Sequence, residues 1–466
     1  MLFNSAAFLL FFPLVTLLYW LLPHRFRYVL LLVASCIFYA YFIPSYLLIL
    51  FLLIGIDYTM AILMDHTKHR KALLIVSILS NLFVLGIFKY HDFFVQNINE
   101  LTGSSFLLYH WILPIGLSFH TFQSISYVVE VYRRKQPVVH HAGYYALYVL
   151  YYPQLVAGPI ERPQHLFPQL FAKKSFSMSM LYNGLRLMAW GLFKKVVIAD
   201  RVGQLADEVF RNHAINNPAT IWLGVLAFTI QIYADFSGYS DMAIGASNCM
   251  GIDLCTNFAR PYQSTNIRAF WQRWHISLSG WFRDYVYIPL GGNRHGSAKR
   301  SRNLIITFLL SGFWHGANWT FMAWGGLHGL YVMVYEQIQS ARKKISFPAI
   351  AGWMFTFAAV AFAWIFFRAN SMHHAFDMIS KGHGFEHFSI TSILTIPGNR
   401  SVFGNISLLL SLLFISWMFV VEKFSSPKMK EMEHKPAFDM TVMVLTCLAI
   451  IFFGVFEKQS FIYFQF

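Results

Sequence analysis

Charge is scarce in this 466-residue chain: Asp, Glu, Lys and Arg together make up 12%, while 57% of the residues are hydrophobic and 18% aromatic. A soluble domain of this length cannot hide so much apolar surface, which excludes a soluble multidomain enzyme. Acidic residues are scarcest, 21 against 36 Lys and Arg. In so apolar a chain the resulting +15 points to lipid headgroups and not to nucleic acid. Cysteine is nearly absent. Cys36, Cys249, Cys255 and Cys447 are scattered with no CxxC pair and no Cys/His ligand spacing, so neither a disulfide framework nor a metal site is expected. They read as small buried apolar residues. Internal repeats and low-complexity tracts are missing, and no stretch, the His-rich 368–401 included, is long enough to bury a soluble core of its own.

What is present is a succession of apolar segments. A bilayer core of about 30 Å takes roughly 20 residues of helix, because each backbone polar group must find its partner inside its own segment. Spans are expected near 6–22, 28–43, 45–64, 72–90, 106–132, 143–157, 181–199, 218–248, 304–335, 350–367, 406–421 and 440–456. Some are short for a crossing and others long, so the expected fold class is an all-α polytopic membrane protein of about 11 transmembrane helices with re-entrant and interfacial pieces. All of 1–466 is expected to form one membrane domain. The first segment has no basic start and no small-residue cleavage site, and reads as a retained span. Arg25 and Arg27, then Lys68, Arg70 and Lys71, then Arg133, Arg134 and Lys135 follow the first, third and fifth spans and mark cytoplasmic loops. The stretch 91–105 has no Lys or Arg and reads as an outer loop. Lys423, Lys428, Lys430 and Lys435 mark a further cytoplasmic loop, which leaves the tail 457–466 outside.

The stretch 258–302 fits neither pattern. It holds eight arginines and lysines, Arg273, Arg283 and Arg294 among them, against Asp284 alone, interleaved with Phe270, Trp271, Trp274, Trp281 and Phe282. One reading is an amphipathic interfacial helix on the cytoplasmic side, its arginines facing anionic lipid. The other is a cytoplasmic mouth that attracts a polyanionic donor, since guanidinium binds phosphate oxygens bidentately.

An ionisable residue inside a span costs about 2.5–3.5 kcal/mol at the helix centre and asks for a partner or a function. Histidine is the cheapest to keep and the most useful, because neutral imidazole takes a proton from a hydroxyl near pH 7. His315 lies in the run Ser311-Gly-Phe-Trp-His-Gly-Ala-Asn-Trp, and His328 follows in Trp324-Gly-Gly-Leu-His-Gly. The glycines allow close approach or a helix break. In an unbroken helix the two histidines would stand about 20 Å apart on opposed faces and form no dyad. Taken alone, each reads as a hydrogen-bonded packing histidine. Asp235 and Asp241, six apart, fall on different faces of a helix and read as structural partners of arginines, not as a carboxylate dyad.

Upstream stands Phe270-Trp-Gln-Arg-Trp-His275-Ile-Ser-Leu-Ser. Its pairing with Trp314-His315-Gly resembles the membrane-bound O-acyltransferases, and within them the bacterial alginate and peptidoglycan O-acetylation branch. Gln231 to Asp241, Gln154 to Pro163 and the tail Phe461-Ile-Tyr463-Phe-Gln-Phe466 extend the resemblance over nearly the whole chain. It implies a ring of helices around a thinned centre, with a tunnel joining a cytoplasmic donor side to an outer acceptor side. It further implies that His315 is the essential histidine, acting as general base, and that His275 is its polar partner. The donor would be acetyl-CoA, a substrate and not a resident cofactor, with Arg273, Arg283 and Arg294 toward its phosphates. The setting would be the bacterial cytoplasmic (inner) membrane, and the acceptor system an extracytoplasmic polysaccharide served by a separate SGNH-type acetyltransferase.

A polar tail of ten residues would fray, but 457–466 is aromatic and almost uncharged. Tyr463 is either an interfacial anchor or, by the resemblance, the hydroxyl that holds the acetyl group as an aryl ester. Two rivals stay open. One is D-alanyl transfer to teichoic acid, where the comparable tyrosine terminus belongs to a separate small protein and the donor is a carrier protein. The other is a transporter without chemistry, which would want a pseudo-symmetric repeat.

Overall fold

The computed structural model describes residues 1–156, 158–215, 217–294, 296–341, 348–383, 402–424, 436–456 and 461–462. Regular structure among the described residues is helical, with no strand. The chain divides into two compact units, Met1–Met188 with Tyr239–Thr256, and Ala189–Gly238 with Asn257–Phe466.

The first unit contains α1 (Ala6–Leu21), α2 (His24–Ala40), α3 (Tyr46–His66), α4 (Arg70–Leu85), α5 (His91–Thr102), α6 (Leu117–Tyr132), α7 (Ala142–Leu150), α8 (Tyr152–Leu155), α9 (Pro163–Phe171) and most of α10 (Met178–Phe193). Ser5 caps α1, its hydroxyl accepting the Phe8 N–H at 3.3 Å. On the same helix Leu10, Leu14, Leu17 and Leu21 are exposed. Their i, i+4, i+7 spacing makes an apolar outer face that only lipid satisfies. The mid-helix carboxylate of α3, Asp57, is fully buried and accepts from Ser77 Oγ at 2.5 Å and Asn81 Nδ2 at 2.9 Å, both on α4. Each donor removes part of the cost of burying that group. Sequence patterning alone did not single this cluster out.

The second unit contains α11 (Asp200–Arg211), the first two thirds of α12 (Pro218–Asn248), α13 (Ile267–Trp271), α14 (Ile276–Phe282), α15 (Ser297–His315), α16 (Trp319–Ala341), α17 (Ala349–Arg368), α18 (Met372–Lys381), α19 (Val402–Phe424) and α20 (Pro436–Phe453). A π-helical turn, Lys194–Ala199, joins α10 to α11. Gly238 of α12 faces the Gly191 carbonyl of α10, and a methyl group added there would stand 2.6 Å from that oxygen. Small residues set this helix spacing.

Four described helices are long and apolar enough to cross a membrane: Tyr46–His66, Arg70–Thr102, Pro218–Asn248 and Ala349–Arg368. The second of these corrects an expectation. Residues 91–105 do not form a loop at once; α4 continues through the π turn Gly86–Tyr90 into α5, a 33-residue helix of about 50 Å. Polarity in 91–102 therefore marks the end of a helix longer than the bilayer core, not a chain reversal. The span expected over 106–132 also shortens, since helix starts only at Leu117, after Pro114 and Gly116, whose φ of +78° needs glycine.

Candidate functional site

The apolar run 304–335 is a helical hairpin and not one span. α15 ends at His315, the chain passes through an extended Gly316 (φ −162°), and α16 begins at Trp319 with Asn318 Oδ1 accepting the Thr320 N–H at 3.0 Å. Glycines let the arms close on each other. A methyl group on Gly312 would sit 3.2 Å from the Gly325 Cα and collide with the Phe321 carbonyl, and Gly329 lies against Ile305 and Phe308. Gly312→Ala is therefore expected to force the arms apart at a cost of about 1–3 kcal/mol. Thermal unfolding in detergent checks this: an unchanged midpoint would mean that the arms have slack.

His315 thus stands at the tip of the hairpin, 5% exposed, with its ring 5.0 Å from Trp314, 5.1 Å from Trp324 and 5.3 Å from Phe367. The fold changes the relation to His328. Trp324 lies 5.0 Å from His328 and 5.1 Å from His315, so the imidazole centroids are no more than about 10 Å apart, where a continuous helix would set them near 20 Å. His328 is fully buried among Phe270, Trp271, Trp324 and Tyr331, stacked on Phe270 at 6.2 Å and 7°. Neither of its ring nitrogens has a hydrogen-bond partner among the described residues. The expectation of a hydrogen-bonded packing histidine fails there in its first half: His328 packs, by its faces and edges.

His275 caps α14 in a left-handed conformation, φ +42° and ψ +56°, that non-glycine residues rarely adopt. Neighbours on both sides fix it. Ala259 N–H donates to the Arg273 carbonyl (3.0 Å), Ile276 N–H to the Asn257 carbonyl (2.9 Å), and Ser277 Oγ to Asn257 Oδ1 (2.6 Å). Such over-determination is what holds a strained residue, and strain of this kind gathers at functional sites. The result aims the fully buried imidazole at the edge of Phe236, 4.7 Å away at 87°. Next to it Trp274 packs on Phe258 (5.1 Å), Phe270 (5.6 Å) and Trp364 (5.1 Å), and Trp364 stacks on Trp324 at 5.7 Å. One aromatic wall therefore runs from the backbone neighbour of His275 to the ring that touches His315. Aromatic rings thus form most of the surroundings given for both histidines.

The basic stretch is not one interfacial helix. Pro261, Pro289, Gly291 and Gly292 divide it into α13, α14, a π turn Arg283–Tyr287 and the start of α15. Arg273 is half-buried beside His275, while Arg283 and Arg294 are exposed. Asp284 accepts from Arg283 Nε at 2.8 Å, and this pair holds the guanidinium above its ordinary pKa. Asp235 pairs with Lys195, not with an arginine as the sequence led us to expect. In the first unit, the Gln154 to Pro163 motif serves the loop 252–255: buried Glu161 accepts the Cys255 N–H at 2.5 Å and binds His165 Nδ1 at 2.6 Å. That unit also has a cavity of about 310 Å³ lined by Lys89, Asp92, His110 and Trp111, which contains none of the three histidines. No group of three His, Cys, Asp or Glu among the described residues could hold a metal. Tyr463 lies outside the described residues, as do Lys428, Lys430 and Lys435.

A model of the MBOAT, membrane-bound O-acyltransferase family, matches residues 36–375, a range that includes His275 and His315. A probable alginate O-acetylase AlgI of Pseudomonas aeruginosa is 40% identical over 405 residues, covering 84% of this chain and 77% of the relative. A peptidoglycan O-acetyltransferase of Helicobacter pylori is 38% identical over 380 residues, covering 75% and 72%. A teichoic acid D-alanyltransferase of Bacillus subtilis is 26% identical over 283 residues, covering 56% and 70%.

Proposed function

The chain belongs to the membrane-bound O-acyltransferase family and is an O-acetyltransferase, and on that premise we propose that it carries acetyl from cytoplasmic acetyl-CoA through the bacterial inner membrane to O-acetylate an extracytoplasmic polysaccharide. The single observation that carries the chemistry is His315 at the tip of a glycine-closed hairpin, walled by Trp314, Trp324 and Phe367. A base on a rigid turn, kept from bulk water, is what acyl transfer to a hydroxyl needs. His315 takes the proton of the acceptor hydroxyl. The oxygen attacks the thioester carbonyl, the carbon–sulfur bond breaks, and the proton passes to the departing thiolate. His275, held rigidly in place by its strained turn, orients the acceptor or the acyl group.

In this reading about 11 helices ring a tunnel, the basic stretch 258–302 faces the cytoplasm, and Arg273, Arg283 and Arg294 attract the phosphates of the donor. The tail enters the protein from the outer side, Tyr463 receives the acetyl group, and an SGNH-type partner transfers it to the polymer. Identities of 40% and 38% to polysaccharide O-acetylating relatives, against 26% to the D-alanyl one, favour acetyl as cargo.

Incubating the purified protein with radiolabelled acetyl-CoA tests the donor directly. Label is expected on the protein, released by mild alkali as an ester would be. Labelling only from a D-alanyl carrier protein would refute the acetyl assignment, and transport of donor that survives loss of His315 would favour a transporter.

A further inference from the structure

Three bonds tie the C-terminal segment to the second unit, and the chemistry above uses none of them. Arg201 Nη2 donates to the Phe453 carbonyl at 2.6 Å, the Val455 N–H to the Val196 carbonyl at 2.8 Å, and the Ile462 N–H to Asp235 Oδ2 at 2.9 Å. The last bond is of a different kind. Its acceptor belongs to a buried ion cluster in which Lys195 Nζ bridges Asp235 Oδ1 (2.9 Å) and Asp200 Oδ1 (2.7 Å), each side chain no more than 3% exposed. Two carboxylates share this ammonium, and the Ile462 N–H gives one of them a further charge-assisted hydrogen bond. Buried charge is costly in a membrane protein and is seldom kept without a role.

The tail itself is well buried at this point, Phe461 0% and Ile462 1% exposed. The ring of Phe461 meets Phe236 at 5.9 Å, and Phe236 meets His275 at 4.7 Å. Two adjacent residues of α12 therefore face both halves of the problem: Asp235 grips the tail backbone, and Phe236 lies between the tail and the imidazole.

We propose that Asp235, held by Lys195 and Asp200, is a positioning residue that latches the C-terminal segment, at Phe461 and Ile462, beside the histidine site, so that acyl transfer through Tyr463 depends on the latch. The second half of this statement rests on the reading of Tyr463 as acyl acceptor; the latch does not.

Asp235→Ala removes the acceptor. Asp235→Asn keeps a side-chain oxygen for the Ile462 N–H and leaves Lys195 with Asp200, and Ile462→Pro deletes the donor, with Ile462→Ala beside it as the control for losing the buried isoleucine side chain. Each full-length variant is purified in detergent, digested with carboxypeptidase and followed by intact mass, and its acetylation of the polymer is measured in cells. Asp235→Ala and Ile462→Pro are expected to lose tail residues at least tenfold faster than the parent and to acetylate at least tenfold less. Asp235→Asn is expected to recover most of both. A tail as protected in Asp235→Ala and Ile462→Pro as in the parent would overturn the latch. Loss of acetylation in Asp235→Asn equal to that in Asp235→Ala, with the tail protected in both, would reduce the cluster to a structural support and overturn the proposal. Full acetylation with a released tail, where Tyr463→Phe is inactive, would overturn the positioning role. If Tyr463→Phe is fully active, the acceptor reading fails by itself, and the digestion result still decides the latch.

Discussion

His315→Ala is expected to lower polysaccharide acetylation by about two to four orders of magnitude, the range a positioned general base contributes. The substitution removes the imidazole from the tip of the hairpin and leaves the backbone undisturbed, because position 315 is the last helical residue and alanine is the best helix former. The arms close through Gly312, Gly325 and Gly329, none of which touches the substituted side chain as a closing contact. A cavity will form between Trp314, Trp324 and Phe367, so His315→Gln, which fills more of that space without supplying a base, belongs beside it. Both should be inactive and both should accumulate in the membrane. Ester-linked acetate released by alkali from the cell-surface polymer, normalised to membrane-embedded enzyme, is the measurement, and acetylation at the parental level in either variant would refute the assignment.

Tyr463→Phe is expected to be as damaging for a different reason. It deletes one oxygen and keeps the aromatic ring, so an anchoring role survives and an acyl-carrying role does not. A phenolic ester is a competent donor because phenolate, with a parent pKa near 10, leaves far more readily than an alkoxide. With that oxygen gone there is nowhere for the ester to form, and the drop in polymer acetylation should approach that of His315→Ala. The radiolabel bound to the purified protein should vanish with it. Undiminished acetylation would leave the residue as an interfacial anchor only.

Much of this was legible in the linear sequence. Scarce charge and long apolar runs announced a helical membrane protein, and the Trp274-His275 and Trp314-His315 pairs singled out two imidazoles, one next in sequence to the wall residue Trp274 and the other in ring contact with Trp324. What stayed hidden follows from how hydropathy is read. An apolar average over 304–335 does not register a turn at Gly316 to Asn318, since the turn residues are as weakly polar as the helix around them, and so the nearness of His328 to His315 was out of reach. Polarity misled in the opposite direction at 91–102, where a helix outruns the bilayer. The Lys195, Asp200 and Asp235 cluster was invisible because its members come from three places along the chain: a π turn, a helix start and the middle of α12. Charge counting assigns partners by type, and arginines seemed the natural ones; only the fold brings Lys195 to Asp235.

The left-handed turn at His275 has a consequence for what a substitution at this position does. Most side chains meet a penalty there that glycine escapes, with asparagine, aspartate and histidine the better tolerated of the rest. Glycine would relieve the backbone at position 275 but give up the buried ring packed on Phe236, so the turn and the side chain pull the stability of this position in opposite directions. On the role proposed for His275, a His275→Gly variant is expected to fold with a relaxed turn and to lose acyl transfer.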